Sequence, residues 1–314
     1  MDTGVRHYSN PMASDSSGEN ESLSWTNFFD EKRKIEIDGD SFNVYLSGDA
    51  GPIFLLIHGG GYTGLTWACM IEKLREKIQC RVIAPDLRAH GETLTQDIDD
   101  LSLEKQAKDV CDIYAKILEL KNYDKIPPLI LVGHSMGGAI AVHIAYTNVL
   151  PKLAALAVID VVEGSAMAAL SMMGTFLRSR PQSFPSVDRA IRWCLESGMT
   201  RNPRAARVSM PSQIVADNTN QFRWRTNLSK TQSHWSGWFT GLSKKFLGCS
   251  AAKILILANV DRLDKELLTG QMRGMFQTEV LPKVGHAVHE DSPDLVADIF
   301  AKLVRRYQPI LVKM

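Results

Sequence analysis

The stretch "LILVGHSMGGAIAVHIA", residues 129–145, sets a short apolar run directly against Gly-x-Ser-x-Gly and continues in small and aliphatic residues. Read physically, it is a buried strand, a sharp turn and a buried helix, with Ser135 at the turn. A serine hydroxyl is a poor nucleophile at neutral pH and needs an adjacent base and donors aimed at the oxyanion formed on attack. At the top of a sheet the turn lifts Ser135 clear of its neighbours, Gly133 and Gly137 leave room for it, and the helix starts with free amides. Met136 N–H is then one expected oxyanion donor.

Working outward, "IFLLI" (53–57), "RVIAPD" (81–86), "ALAVID" (155–160), "KILILA" (253–258) and "TEVLP" (278–282) are further short apolar runs. Most lack polar alternation, the pattern of strands covered on both faces. Between them, Trp67, Met70, Ile71, Leu74 and Ile78, and then Leu103, Ala107, Val110, Tyr114, Ile117 and Leu118, each line one face of a helix. "KIEIDGDSFNVYLS" (34–47) alternates around Asp-Gly and reads as a hairpin, and "SPDLVADIFAKLVRRY" reads as a closing helix. The expectation is an α/β fold: a mostly parallel central sheet with helices on both faces. Residues 164 to about 250 break the alternation with Met, Trp and Pro and read as a helical cap inserted between two sheet strands.

The boundaries expected are a disordered leader over 1–22, rich in Ser, Asp, Glu, Asn and Gly, and a single domain over 23–314 carrying that cap. A net charge of +1 gives no electrostatic reason to expect nucleic acid or anionic lipid as partner. No run reaches the length of a membrane span, and the leader has no apolar core of a signal peptide. The five cysteines, 69, 80, 111, 194 and 249, form no C-x-x-C, so neither a disulfide framework nor a zinc site is signalled. No metal and no organic cofactor is expected.

The second oxyanion donor is expected from "LLIHGGGYTG" (55–64), where the amides of Gly60 or Gly61 can approach an oxyanion closely. The base is expected at His286 in "VLPKVGHAVHED", after the last strand, with His289 as rival; His58 and His134 border their motifs without a place for that role. Residue order leaves the acid open among Asp160, Asp261 and Asp264, all between Ser135 and His286; a slight preference falls on Asp261, whose strand lies nearer the histidine loop.

These residues identify a resemblance to the α/β-hydrolase superfamily and, within it, to the protein phosphatase methylesterases. It runs from about Trp25 to about Val304 and is carried by "LLIHGGGYTGLTWA", "DLRAHGET", "LVGHSMGGAIAVHIA", "VIDVVEG", "ARVSM", "GWFTGLS", "VDRLDKELLTGQMRGMFQ" and "VLPKVGHAVHEDSPD". The resemblance implies a serine esterase that removes the methyl group from the C-terminal leucine of the protein phosphatase 2A catalytic subunit. It places the nucleophile on Ser135, the acid on Asp160 and the base on His286, overruling the preference for Asp261. Where many relatives carry a long acidic insert, only a few residues near Asp217 to Gln221 stand here.

A methyl ester offers little to grip, so recognition is expected from the cap and its surroundings, with Trp224, Trp235, Trp238 and Met272 as candidate contacts for the methylated tail. Two other functions compete: a general carboxylesterase on small esters, and a protein that holds the phosphatase with esterase activity secondary. The expected location is cytoplasmic, nuclear or both; "EKRK" at 31–34 is too short a basic cluster to choose.

Overall fold

The computed structural model describes residues 21–259 and 263–311, so of the expected leader only 21 and 22 are described. Along the chain the strands are β1 (Glu31–Ile37), β2 (Asp40–Ser47), β3 (Ile53–Ile57), β4 (Arg81–Pro85), β5 (Leu129–His134), β6 (Leu153–Ile159), β7 (Ile214–Ala216), β8 (Phe222–Trp224), β9 (Ala252–Leu257) and β10 (Gln277–Val280). The helices are α1 (Ala68–Arg75), α2 (Leu103–Lys121), α3 (Met136–Thr147), α4 (Glu163–Ser179), α5 (Val187–Glu196), α6 (Pro203–Ser212), α7 (Trp235–Phe239), α8 (Leu242–Gly248), α9 (Lys265–Met272), α10 (Val288–Asp291) and α11 (Pro293–Leu311).

The Asp38-Gly39 turn, with φ of 51° and 87°, folds β1 onto β2, because both central residues of such a hairpin need positive φ. The main sheet runs β1-β2-β4-β3-β5-β6-β9-β10. Its β1–β2 and β2–β4 pairs are antiparallel and the remaining pairs are parallel. Strands β3 and β5 are buried along their whole length, which explains their unbroken apolar sequence.

Side chains alternate between two cores. Leu55, Leu131, Val158 and Leu255 meet Val110 and Tyr114 of α2 and Ile140 of α3 on one face. Phe54, Ile130, Ala157 and Ile256 meet Ile71 and Leu74 of α1 and Phe300 of α11 on the other. Each fully buried Leu or Ile contributes roughly 1.5–3 kcal/mol. Asn122 and Asn148, both in the left-handed region, end α2 and α3.

Between β6 and β9 the chain places α4 to α8 and the short β7–β8 hairpin; Phe184, Ile191, Cys194, Met210 and Ile214 form a small core of their own, while Trp238 of α7 and Leu242 and Phe246 of α8 join the core around α3. The turn of that hairpin is Asp217–Gln221, where Asp217 Oδ1 accepts from the amides of Thr219 and Gln221. The few residues from Asp217 to Gln221 therefore form a tight hairpin turn.

Just after β4, Arg88 is 1% exposed and is held by Asp109, through Nε at 2.7 Å and Nη2 at 3.0 Å, and by Asp40 at 2.7 Å. Removing one partner of a buried pair strands the other's charge, at about 3–5 kcal/mol. Arg88→Met is thus expected to lower unfolding stability by that amount in a urea titration.

Candidate active site

Ser135 lies between the last residue of β5 and the first of α3, with φ 52° and ψ −122°. A non-glycine residue so placed stores about 1–3 kcal/mol of strain and must be held by its surroundings. Ser135 N–H donates to Ile159 O at 3.0 Å, and Ser135 O accepts from Gly138 N at 2.8 Å. The turn is tight enough that a Cβ on Gly133 would stand 2.2 Å from Gly137 O, and one on Gly137 2.3 Å from Ile57 O. Both glycines of the motif are required by contact.

Asp160 follows β6, also at positive φ, and its N–H donates to Ile256 O of neighbouring β9 at 2.8 Å. Its Oδ1 accepts from Ala258 N at 3.1 Å, and its Oδ2 meets His286 Nδ1 at 2.7 Å. The carboxylate is wholly buried whereas the imidazole is 46% exposed. A carboxylate on Nδ1 fixes the proton there and leaves Nε2 as the basic nitrogen. From beneath, His134 Nε2 donates to His286 O at 2.9 Å, tying the histidine loop to the strand that carries Ser135. Ser135 and His286 open onto the same cavity.

The described alternatives, Asp264 and His289, sit elsewhere. Asp264 caps α9, accepting from Leu267 N at 2.9 Å and from Ser243 Oγ at 2.5 Å. Asp261 lies outside the described residues. His289 is fully buried, stacked on Trp67 with ring centroids 4.1 Å apart, and its Nε2 lies 2.9 Å from Thr66 Oγ1.

The glycine loop corrects one expectation. Gly61 N–H donates to His90 Nε2 at 2.9 Å, so this amide is committed and is not an oxyanion donor. The amides of Gly60 and Met136 make no hydrogen bond among the described residues, and both residues line the cavity. His90 in turn donates through Nδ1 to Arg88 O at 2.8 Å. His58 accepts from Leu87 N at 3.0 Å and donates to Gly59 O at 2.8 Å. Two neutral histidines therefore clamp the loop on either side of Gly60. "DLRAHGET" was the only sequence signal for His90, and it carried no role.

The cavity encloses about 470 Å³ and is mainly apolar, with Leu170, Met173 and Leu177 of α4 among its walls. Trp235 and Trp238 line it, with their Nε1 atoms bonded to Thr231 Oγ1 at 2.6 Å and Leu101 O at 2.7 Å. Trp224 does not reach it: its indole lies behind Arg180, which does. Met272 is on α9, 84% exposed and away from the cavity. Arg180 is the residue that the sequence concealed, since a basic residue after a helix reads as an ordinary helix end.

Burial shifts the titration of the groups behind the site. The rings of His58 and His134 are held well below the ordinary histidine value, and those of His90 and His289 fall to about 4 and about 3. Burial pushes Glu290, bonded to Thr66 Oγ1 at 2.6 Å, up to about 7, and raises Asp86. Histidines that stay neutral when folded but protonate when unfolded give the unfolded chain more protons below about pH 6.5, so stability falls with pH by up to about 1.4 kcal/mol per unit each. The raised carboxyls of Glu290 and Asp86 act in the opposite sense, but the histidines outnumber them. Melting temperature measured from pH 7 to 4.5 is expected to fall steeply below about pH 6.5.

Comparison with known proteins agrees with this architecture. A model of the alpha/beta hydrolase family matches residues 54–299. The chain is 56% identical over 287 residues, 91% of its length and 78% of the other's, to a probable protein phosphatase methylesterase 1 of Caenorhabditis elegans. It is 42% identical over 330 aligned positions, 90% of its length and 84% of the other's, to the protein phosphatase methylesterase 1 of Homo sapiens. Among solved structures, an E-2-(acetamidomethylene)succinate hydrolase superposes with a TM-score of 0.70 at 17% identity, covering 88% of this chain and 99% of that one. An esterase of Mycobacterium tuberculosis does so with a TM-score of 0.66 at 20% identity, covering 88% and 92%. The chain belongs to the alpha/beta hydrolase family and, within it, to the protein phosphatase methylesterases.

Proposed function

We propose that this enzyme hydrolyses the methyl ester on the C-terminal leucine of the protein phosphatase 2A catalytic subunit. The observation that carries the reading is the opening of Ser135 and of the Asp160-bonded His286 onto one apolar cavity. Its wall of Leu, Met and Trp side chains suits a leucyl group, and the relatives' names supply the phosphatase.

His286 Nε2 takes the proton of Ser135 as Oγ attacks the ester carbonyl, while Asp160 holds the ring and stabilises the imidazolium. The amides of Met136 and Gly60 receive the oxyanion. Collapse breaks the bond to the methoxy oxygen, which leaves as methanol with the proton from His286. Water, deprotonated by the same nitrogen, then releases the free C-terminal carboxylate and restores Ser135.

The test is incubation with carboxymethylated phosphatase 2A, following loss of the methyl group, beside a small methyl ester. The expected result is preferential turnover of the phosphatase, with Ser135→Ala, His286→Ala and Asp160→Asn each lowering kcat by about 10⁴. Rapid turnover of the small ester with the phosphatase untouched would mean a general carboxylesterase. Tight binding of the phosphatase without turnover would mean a holding protein.

A further inference from the structure

Among the described residues, the cavity wall contains one cation, Arg180. Arg180 follows the last turn of α4, and its guanidinium carbon stands 3.5 Å from the ring centroid of Trp224. That indole is itself fixed: Nε1 donates to Pro181 O at 2.8 Å, and the ring packs edge-on against Phe184 at 5.4 Å and Trp193 at 5.5 Å. The guanidinium is therefore held in place before any ligand arrives.

What it lacks is an anion. Among the described residues no carboxylate stands within ion-pair distance of Arg180, and its buried Nε has no hydrogen-bond partner. The ionisable groups that act on it, Tyr62 and Cys194, are both kept neutral because burial pushes the phenol and the thiol up. Burial also pulls the Arg180 guanidinium down to about 10. A cation with unspent donors in an apolar wall is costly to keep, and the cost is offset when a carboxylate meets its planar fork. Stacking on Trp224 satisfies one face of the guanidinium and leaves its edge free.

We infer that Arg180 recognises a carboxylate on the acyl part of the substrate, an acidic side chain N-terminal to the esterified residue, while the apolar wall takes the esterified residue itself. The inference rests on the methyl-ester reading above and adds a substrate requirement to it. An ester is neutral at the reacting carbon, so discrimination by charge must come from a second group. The cavity offers one place for it.

Two short peptide methyl esters ending in leucine, identical except for aspartate or asparagine N-terminal to the leucine, provide the probe. The quantity read is the ratio of their kcat/KM values in the unaltered protein, in Arg180→Met and in Arg180→Lys. Expected is a preference of about tenfold for the aspartyl peptide, expressed in KM. It should fall to about one in Arg180→Met and be partly kept in Arg180→Lys. A ratio of one in the unaltered protein overturns the inference, as does a preference that survives Arg180→Met. Equal slowing of both peptides by Arg180→Met would assign Arg180 to packing alone. The free-acid form of the asparagine peptide tests the other source of carboxylate: if Arg180→Met relieves its inhibition and leaves the substrate ratio unchanged, the residue reads the product and the inference fails. Turnover of methylated phosphatase is scored separately. Charge preference without phosphatase turnover keeps the inference and removes the functional reading, and phosphatase turnover with a ratio of one does the reverse.

Discussion

Everything at the site follows from the constraint that a residue at positive φ must join a fully buried strand to a helix whose first turns are buried. The chain meets it with a serine, a residue that gains nothing locally from φ 52°. Its geometry is enforced from outside: the backbone of β6 takes its N–H, and Gly133 and Gly137 permit contacts that any side chain would block. Because β6 is also the strand that delivers Asp160, Ser135 and Asp160 are registered against each other through main-chain hydrogen bonds. Precision of position here comes from the sheet.

A second constraint is electrostatic. The histidines packed around the site, His58, His90, His134 and His289, are buried and held neutral, so each presents one donor and one acceptor nitrogen. Three of them brace backbone atoms: His58 and His90 set the loop around Gly60, and His134 supports the peptide of His286. A protonated ring could not accept from Gly61 or Leu87, so the loop and the titration state of these rings depend on each other. His286 differs in being half open to solvent, an exposure that suits the proposed exchange of protons.

The fold and Ser135 were legible in the sequence because parallel strands covered on both faces leave unbroken apolar runs and because the strand, serine turn and helix are contiguous. The acid was not legible from spacing. β6 and β9 are neighbours in the sheet, so residue order along the chain cannot say which of the two strands carries the acid, and strand order is a property of the fold. The choice between Gly60 and Gly61 depends on His90, 29 residues beyond Gly61 and with no pattern to announce it. The β7–β8 hairpin, three residues to a strand, is too short to show alternation. Trp224 and Met272 looked like recognition residues by type alone, whereas one backs Arg180 and the other lies on the outer surface.

The central claim is that Ser135 is an activated nucleophile. The most direct measurement is mass spectrometry of the protein after exposure to an alkyl fluorophosphonate, with proteolytic mapping of the adduct. One phosphonyl group on Ser135, lost when His286 is replaced by alanine, is the predicted result. A protein that stays unlabelled, or is labelled at another residue, would contradict the account.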